Sequence, residues 1–211
     1  AAIADCKRRR TSLHVAMLDL ANAFGSLPHD SLYEALDWLG LGSASIDRVR
    51  SIYTGSATRI RAATGLTAPV PILAGVLQGS PLSPILFTLG IEPLLRAALA
   101  ADPGHLLHGH SLAVLGYADD LAVLSDTATG LQSQLDAISR AADWAGLRFK
   151  PAKCASLTIT PARNAAPTVF SVQGGPMPAM DSSDAYVYLG TPIGVDLHLS
   201  GEEAVRKMTS H

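Results

Sequence analysis

Two adjacent aspartates set between two apolar runs constrain this chain more than any other feature in it. The stretch LAVLGYADDLAVLS, residues 112–125, places Asp119 and Asp120 in the middle of what otherwise reads as buried strand. Burying an unpaired carboxylate costs several kcal/mol, so such groups are solvated, paired or bound to a cation. Successive residues of a strand point to opposite faces, so the two side chains cannot both meet one ligand from regular strand. A hairpin resolves the conflict: the two runs pair, the turn falls at Ala118–Asp120, and the carboxylates sit at its partly solvated tip. A turn that is acidic only because aspartates suit turns is the other reading of this segment.

A third carboxylate narrows the choice. The run SLHVAMLDLANAF, residues 12–24, has strand length and reaches Asp19 near its end, again between apolar neighbours. Two strand ends of one sheet, each bearing a carboxylate, form a hard oxygen site suited to Mg²⁺, which takes one or two protein carboxylates and leaves its other positions to water and phosphates. That is the composition of phosphoryl-transfer sites, where two ions about 3.5–4 Å apart stabilise the attacking and leaving oxygens. The residues alone point to a Mg²⁺-dependent phosphotransferase or phosphatase, and fold analogy does not choose among these.

The rest of the chain supplies a fold around those carboxylates. With 48% hydrophobic and 16% charged residues over 211 positions, it has material for a core in one domain, or a domain and the start of another. The net charge of −2 argues against a strongly electrostatic nucleic-acid binder, although it averages over a basic cluster, KRRR at 7–10, read here as a solvated loop between helix and strand. Cys6 and Cys154 are too few for a disulfide framework or a zinc pattern and read as free thiols. The apolar stretch Pro81–Ala101 carries Glu92, Arg96 and Pro93, and reads as a buried helix that Pro93 kinks or divides rather than a membrane span.

Periodicity predicts helices over 28–42, capped by Asp30 or Ser31, over 43–55, and over 127–147 with Leu131, Leu135, Ile138 and Ala142 on one face. Residues 57–65 alternate like an exposed strand, with Arg59 and Arg61 on one side. A glycine and proline loop at 75–84 opens the long helix, with Ser80 as a candidate cap. His105, His108 and His110 fall in a loop and read as exposed. Strand-like pieces ASLTIT, PTVFSV and AYVYLGTPIG follow, and SGEEAVRKMTSH starts a last helix. Helices alternating with strands of mixed connection predict an α+β sandwich, one sheet with helices packed on one face.

Five blocks, in order, resemble the palm of a reverse transcriptase, and more closely that of non-LTR (target-primed) retrotransposons of the R2-like type: MLDLANAFGSLPH (17–29), GVLQGSPLSPILF (75–87), YADD (117–120), GLRFKPAKC (146–154) and YLG (188–190). The resemblance implies a mainly antiparallel sheet with a ferredoxin-like, RRM-like core. It implies that Asp19 and Asp119 hold two Mg²⁺ ions, with Mn²⁺ as a substitute, that the Leu20 carbonyl is a further ligand, and that Asp120 acts beside them. Phe24 would exclude a 2′-hydroxyl. Gln78 and Gly79 would meet the incoming nucleotide and template, and Tyr117 would shape the pocket floor. Lys153 would protonate the leaving pyrophosphate. Tyr188, Leu189 and Gly190 would hold the primer strand. Three positions depart from the pattern: Gly25 stands where many relatives carry a second Asp, Ser80 where many carry Asp, and Lys150 with Pro151 replace a more usual Asn and small residue.

The implied reaction is attack of a DNA primer 3′-hydroxyl on the α-phosphate of a dNTP, directed by an RNA template, with nuclear action in a eukaryotic element. Residues 1–195 are expected to form the palm, with 43–78 leaning to the fingers side, and 196–211 to begin the thumb. The remaining fingers, thumb and nuclease domains would belong to the parent polyprotein, and no membrane partner is expected. An inert or RNA-binding remnant of a truncated element, and a group II intron or retron-type reverse transcriptase, are the alternative readings.

Overall fold

The structure, a computed structural model, describes residues 1–63, 65–161, 168–181 and 183–194. Its centre is a four-stranded antiparallel sheet of β1 (Leu13–Asp19), β2 (Val114–Tyr117), β3 (Asp120–Ser125) and β4 (Ala155–Ile159). The strand order is β4-β1-β3-β2. The helix Ser83–Ala101 connects β1 to β2, and the helix Ala128–Trp144 connects β3 to β4. Strand, helix, strand, strand, helix, strand in this order is the split βαβ arrangement of the ferredoxin-like core, as the α+β reading anticipated.

Six α-helices lie among the described residues: α1 (Ala2–Arg9), α2 (Ala23–Ser26), α3 (His29–Trp38), α4 (Ser43–Tyr53), α5 (Ser83–Ala101) and α6 (Ala128–Trp144). Helix α6 buries Leu131, Leu135, Ile138 and Ala142, the face that its 3.6-residue period predicts, and Thr127 caps it by accepting the Gly130 N–H at 3.0 Å. Each such buried leucine or isoleucine contributes about 1.5–3 kcal/mol relative to exposure, so packing outweighs intrinsic propensity in holding this helix. Helix α5 buries Leu86, Phe87, Gly90, Ile91, Leu94 and Ala98. By length and composition it has the measure of a membrane span, but here that stripe packs into the core with α3 and α6.

Strand β1 is buried on both faces because its alternating residues serve two cores. Ala16 and Leu18 face α5 and α6 together with Leu121 and Val123 of β3. Leu13, Val15 and Met17 face the other way, joined by Leu124, Leu157 and Ile159 and covered by Cys6 and Ile3 of α1 and by Tyr186, Tyr188 and Ile193. The two long helices therefore occupy one face, while α1 and a hairpin, Tyr186–Tyr188 paired with Thr191–Ile193, cover part of the second.

Several local expectations are corrected. The cap of α3 is Pro28, so Asp30 lies inside the first turn, where its charge suits the helix dipole. Ser80 does not cap α5; its hydroxyl accepts from Leu82 N–H in the preceding turn. Pro93 does not divide α5, which runs unbroken through it. Residues 57–65 form no continuous strand: Ala57–Thr58 pairs with Val70–Pro71, and Arg61–Ala62 with Gly65–Leu66, all exposed. The KRRR cluster is the last turn and cap of α1, where Arg8 and Arg9 pair with the buried Asp5. His105 is buried, its Nδ1 2.5 Å from Asp126 Oδ1, while His108 and His110 are exposed. Both cysteines are free and buried. The expected helix and thumb start over 196–211 lie outside the described residues.

Candidate functional site

Antiparallel register brings the separated carboxylates together. Asp19 at the end of β1 is the cross-strand partner of Asp120 at the start of β3, and Asp120 is in turn the partner of Tyr117 at the end of β2. Paired residues share a face, so Tyr117, Asp120 and Asp19 form a row across three strands. That row stands on the face opposite α5 and α6, since Leu18 and Leu121 alternate inward beside it.

The β2–β3 turn is two residues long, Ala118 and Asp119, close to the expected position. Ala118 has φ +53°, a left-handed conformation that costs a residue with a Cβ about 1 kcal/mol or more. Asp119 leaves the strand at this turn, which frees it from the alternation that would have turned it away from Asp120. Burial, then the charges of Asp119 and Asp19, push the Asp120 carboxyl above the usual carboxylate range. Asp119 and Asp19 both lie near enough to Asp120 for their charges to oppose its ionisation.

Segment 148–154 holds Asp19 from its other side. Leu20 and Phe149 form an antiparallel bridge. Its hydrogen bonds run from Ala21 N–H to the Arg148 carbonyl (2.7 Å) and from Lys150 N–H to the Asp19 carbonyl (2.9 Å), so the bridge leaves the Leu20 carbonyl out. Cys154 Sγ accepts the Asp19 N–H at 3.3 Å. The Lys150 ammonium lies 4.0 Å from Asp19 Oδ1. That oxygen is buried and has no hydrogen-bond partner.

Above the carboxylates sits the Tyr186–Ile193 hairpin. Leu189 (φ +50°) and Gly190 (φ +75°) form its two-residue turn, both left-handed as the twist of a tight hairpin prefers. The Tyr188 hydroxyl donates to the Asp120 backbone carbonyl at 3.3 Å. Burial and then the charge of Asp120 raise the phenols of both Tyr186 and Tyr188. Tyr117 is 68% exposed at the open end of the row.

A separate pocket of about 380 Å³ gathers Phe24, Gln78 and Gly79 with the start of α5. The Phe24 ring stacks on Phe87 with centroids 4.4 Å apart, which holds it at the pocket wall. The two loops meet backbone to backbone: Val76 N–H donates to the Phe24 carbonyl and Gly75 N–H to the Leu27 carbonyl, both at 2.8 Å. Gly75 has φ +86°, and a Cβ there would lie 2.8 Å from the Gly25 Cα. This close approach accounts for a glycine at 75 in physical terms.

The structure thus assembles Asp19, Asp119, Asp120 and Tyr117, with the Tyr188 turn over them, and separately Phe24 with Gln78 and Gly79. Lys153 stands exposed in the short turn Pro151–Lys153, and the lysine paired with Asp19 is Lys150. Sequence reasoning did not identify Lys150, Tyr186 or Cys154 as part of the site. The signal for Lys150 was the alternation of LRFK, in which Leu147 and Phe149 are buried and Lys150 falls on the opposite face.

No group of three or more His, Cys, Asp or Glu side chains is arranged to hold a metal ion among the described residues. Mg²⁺ does not require one, since it takes one or two carboxylates and completes its shell with water and phosphate. A buried, unpartnered carboxylate oxygen opposite a second carboxylate is an arrangement a divalent cation would relieve, so the donors present fit such an ion.

The family model described as reverse transcriptase (RNA-dependent DNA polymerase) matches residues 2–193. The chain is 29% identical, over 96% of its length, to the Retrovirus-related Pol polyprotein from type-1 retrotransposable element R2 of Nasonia vitripennis, and covers 21% of that protein. It is 35% identical over 76% of its length to the protein of the same description from Bradysia coprophila, and covers 18% of it. The chain therefore spans about a fifth of the relatives it matches. Among solved structures, apo telomerase of Candida tropicalis, truncated from its C-terminal domain, superposes with a TM-score of 0.57 at 15% identity, over 90% of this chain and 36% of that one. This likeness concerns the fold alone.

Proposed function

The chain belongs to the reverse transcriptase (RNA-dependent DNA polymerase) family, and on that premise we propose that it is the palm of a non-LTR retrotransposon polyprotein that extends a DNA primer on an RNA template. The observation that carries the reading is the buried, unpartnered Asp19 Oδ1 facing Asp120 across the sheet. A polymerase palm needs a carboxylate oxygen at that place that no hydrogen bond already occupies.

In this reading Asp19 and Asp119 hold two divalent ions, Mg²⁺ or Mn²⁺, and the Leu20 carbonyl adds a donor. When bound, the ions supply charge to lower the pKa of the primer hydroxyl and to neutralise the triphosphate. Asp120 adds negative charge beside Asp19. Phe24, wedged on Phe87, crowds the place where a ribose 2′-hydroxyl would sit and so favours dNTPs. Gln78 offers both a donor and an acceptor to the nucleotide and template, and Gly79 lets the backbone approach. Tyr117 lines the open end, and the Tyr188-Leu189-Gly190 turn meets the primer strand. Lys153 donates the proton to pyrophosphate from its exposed turn.

The test is extension of a DNA primer on an RNA template by this chain, alone and within a longer polypeptide that restores fingers and thumb. Mg²⁺-dependent addition of dNMP is expected in at least the longer form, with Asp119→Ala lowering it by about 100-fold or more. Absence of extension in both forms would overturn the reading in favour of an inert remnant.

A further inference from the structure

We propose that Lys150 is a tethered counter-cation of the carboxylate site: it pairs with Asp19 when no metal is present and has to leave before a divalent ion enters. The inference rests on the metal-binding reading of Asp19 given above and adds a residue to it.

Three observations carry the proposal. Phe149 is buried against the helical core and bridges Leu20, so the next residue along the extended chain projects from the opposite face, the one that bears Asp19. The Lys150 backbone is fastened there by its own N–H, which donates to the Asp19 carbonyl at 2.9 Å. Its ammonium reaches to 4.0 Å from Asp19 Oδ1, near enough to attract but too far to hydrogen-bond, so the oxygen stays unsatisfied.

The charge balance explains why a cation is useful at this place. Asp19 and Asp120 are direct cross-strand partners and Asp119 is close by, and like charges in that register repel. Lys150 offsets part of that repulsion in the metal-free chain. Its side chain is 43% exposed on a flexible four-carbon stem, so it can swing into solvent at small cost. A forked guanidinium at the same position would hydrogen-bond the free oxygen and leave less readily. Ion pairs of this exposure contribute at most about 1 kcal/mol, so the need to displace Lys150 weakens metal binding by up to about fivefold.

Titration of the 211-residue chain with Tb³⁺, read by tyrosine-sensitised luminescence and by Mg²⁺ competition, tests this directly. Tyr117, Tyr186 and Tyr188 lie on the face of the carboxylates, so a Tb³⁺ ion at Asp19 should be sensitised. Lys150→Met is expected to bind Tb³⁺ more tightly than the wild type, by up to about fivefold, and Lys150→Arg no more tightly than the wild type. The melting temperature of Lys150→Met should fall below wild type without metal and meet it at saturating Mg²⁺. Equal Tb³⁺ affinity in wild type and Lys150→Met, with binding still lost in Asp19→Asn, would overturn the role of Lys150 and leave the metal site standing. Binding that Asp19→Asn leaves unchanged would overturn the metal site itself, and the proposal with it.

Discussion

The two adjacent aspartates occupy different places in the fold. Asp119 sits in a turn and Asp120 in the first position of a strand, facing Asp19. Burial and two neighbouring charges raise the Asp120 carboxyl, so the folded chain holds its proton to higher pH than the unfolded chain does. Folded protein then binds more protons than unfolded protein over that interval, and stability falls as pH rises from the ordinary carboxylate range through the raised value. Above that range the ionised group destabilises the metal-free fold; below the unfolded value the effect is absent. Asp120→Asn should therefore raise the melting temperature at neutral pH without metal, and the gain should vanish as the pH is lowered through the carboxylate range. A gain that is independent of pH would contradict this cause. The three aspartates were legible as residues because charge among apolar neighbours is conspicuous in a sequence, whereas Phe24 is one apolar residue among others and was reached only through the resemblance. Lys150 was not legible, because an exposed lysine acquires meaning only from the bridge that aims it at Asp19.

Helices and strands were recovered in proportion to how strongly one face is buried. Helices α3, α4, α5 and α6 have periodic apolar residues and were placed close to their limits. Their starts were misread where a polar residue stood near the helix without capping it, as Asp30 and Ser80 do, because a cap depends on backbone angles that composition does not reveal. Residues 57–65 alternate in sequence, yet the described residues of 57–71 form only two-residue ladders, since alternation without a core to bury into carries little energy. Helix α5 offers a quantitative check. Replacing Gly90 by alanine gains about 1 kcal/mol of helix propensity. The new Cβ would lie 2.5 Å from Leu27 Cδ2 and 3.3 Å from Leu32 Cδ1, and both leucines are walled in, at 1% and 0% exposure. Overpacking of this kind costs about 1–3 kcal/mol, so the net effect is a loss of about 1 kcal/mol. Thermal denaturation of Gly90→Ala should show a melting temperature lower by about 2–4 °C, and a rise would show that Leu27 moves freely.

Across the whole molecule, stability should follow the depth of burial around β1. That strand is paired on both edges and covered on both faces, while the ladders at 57–71 bury none of their strand residues. Amide hydrogen exchange should be slowest at Val15 to Leu18 and fast throughout 57–71, because local opening of an unpacked ladder exposes almost no new apolar surface. Comparable protection in the two regions would mean that the ladders are stabilised by contacts beyond those described. The same layout puts Asp19 at the end of the deeply buried strand β1, with Asp120 paired to it from β3.

The sequence by itself determined the fold class, the apolar stripes of the long helices and the identity of the three carboxylates, because hydrophobic period and isolated charge are local properties. Tertiary structure alone decided which of those residues share a face. The order β4-β1-β3-β2 and the register Asp19 opposite Asp120 join positions far apart in the chain, and the bridge at Phe149 turns a surface lysine towards them. Non-local pairing of this kind is set by how two cores close over one sheet, which no single segment of the chain contains.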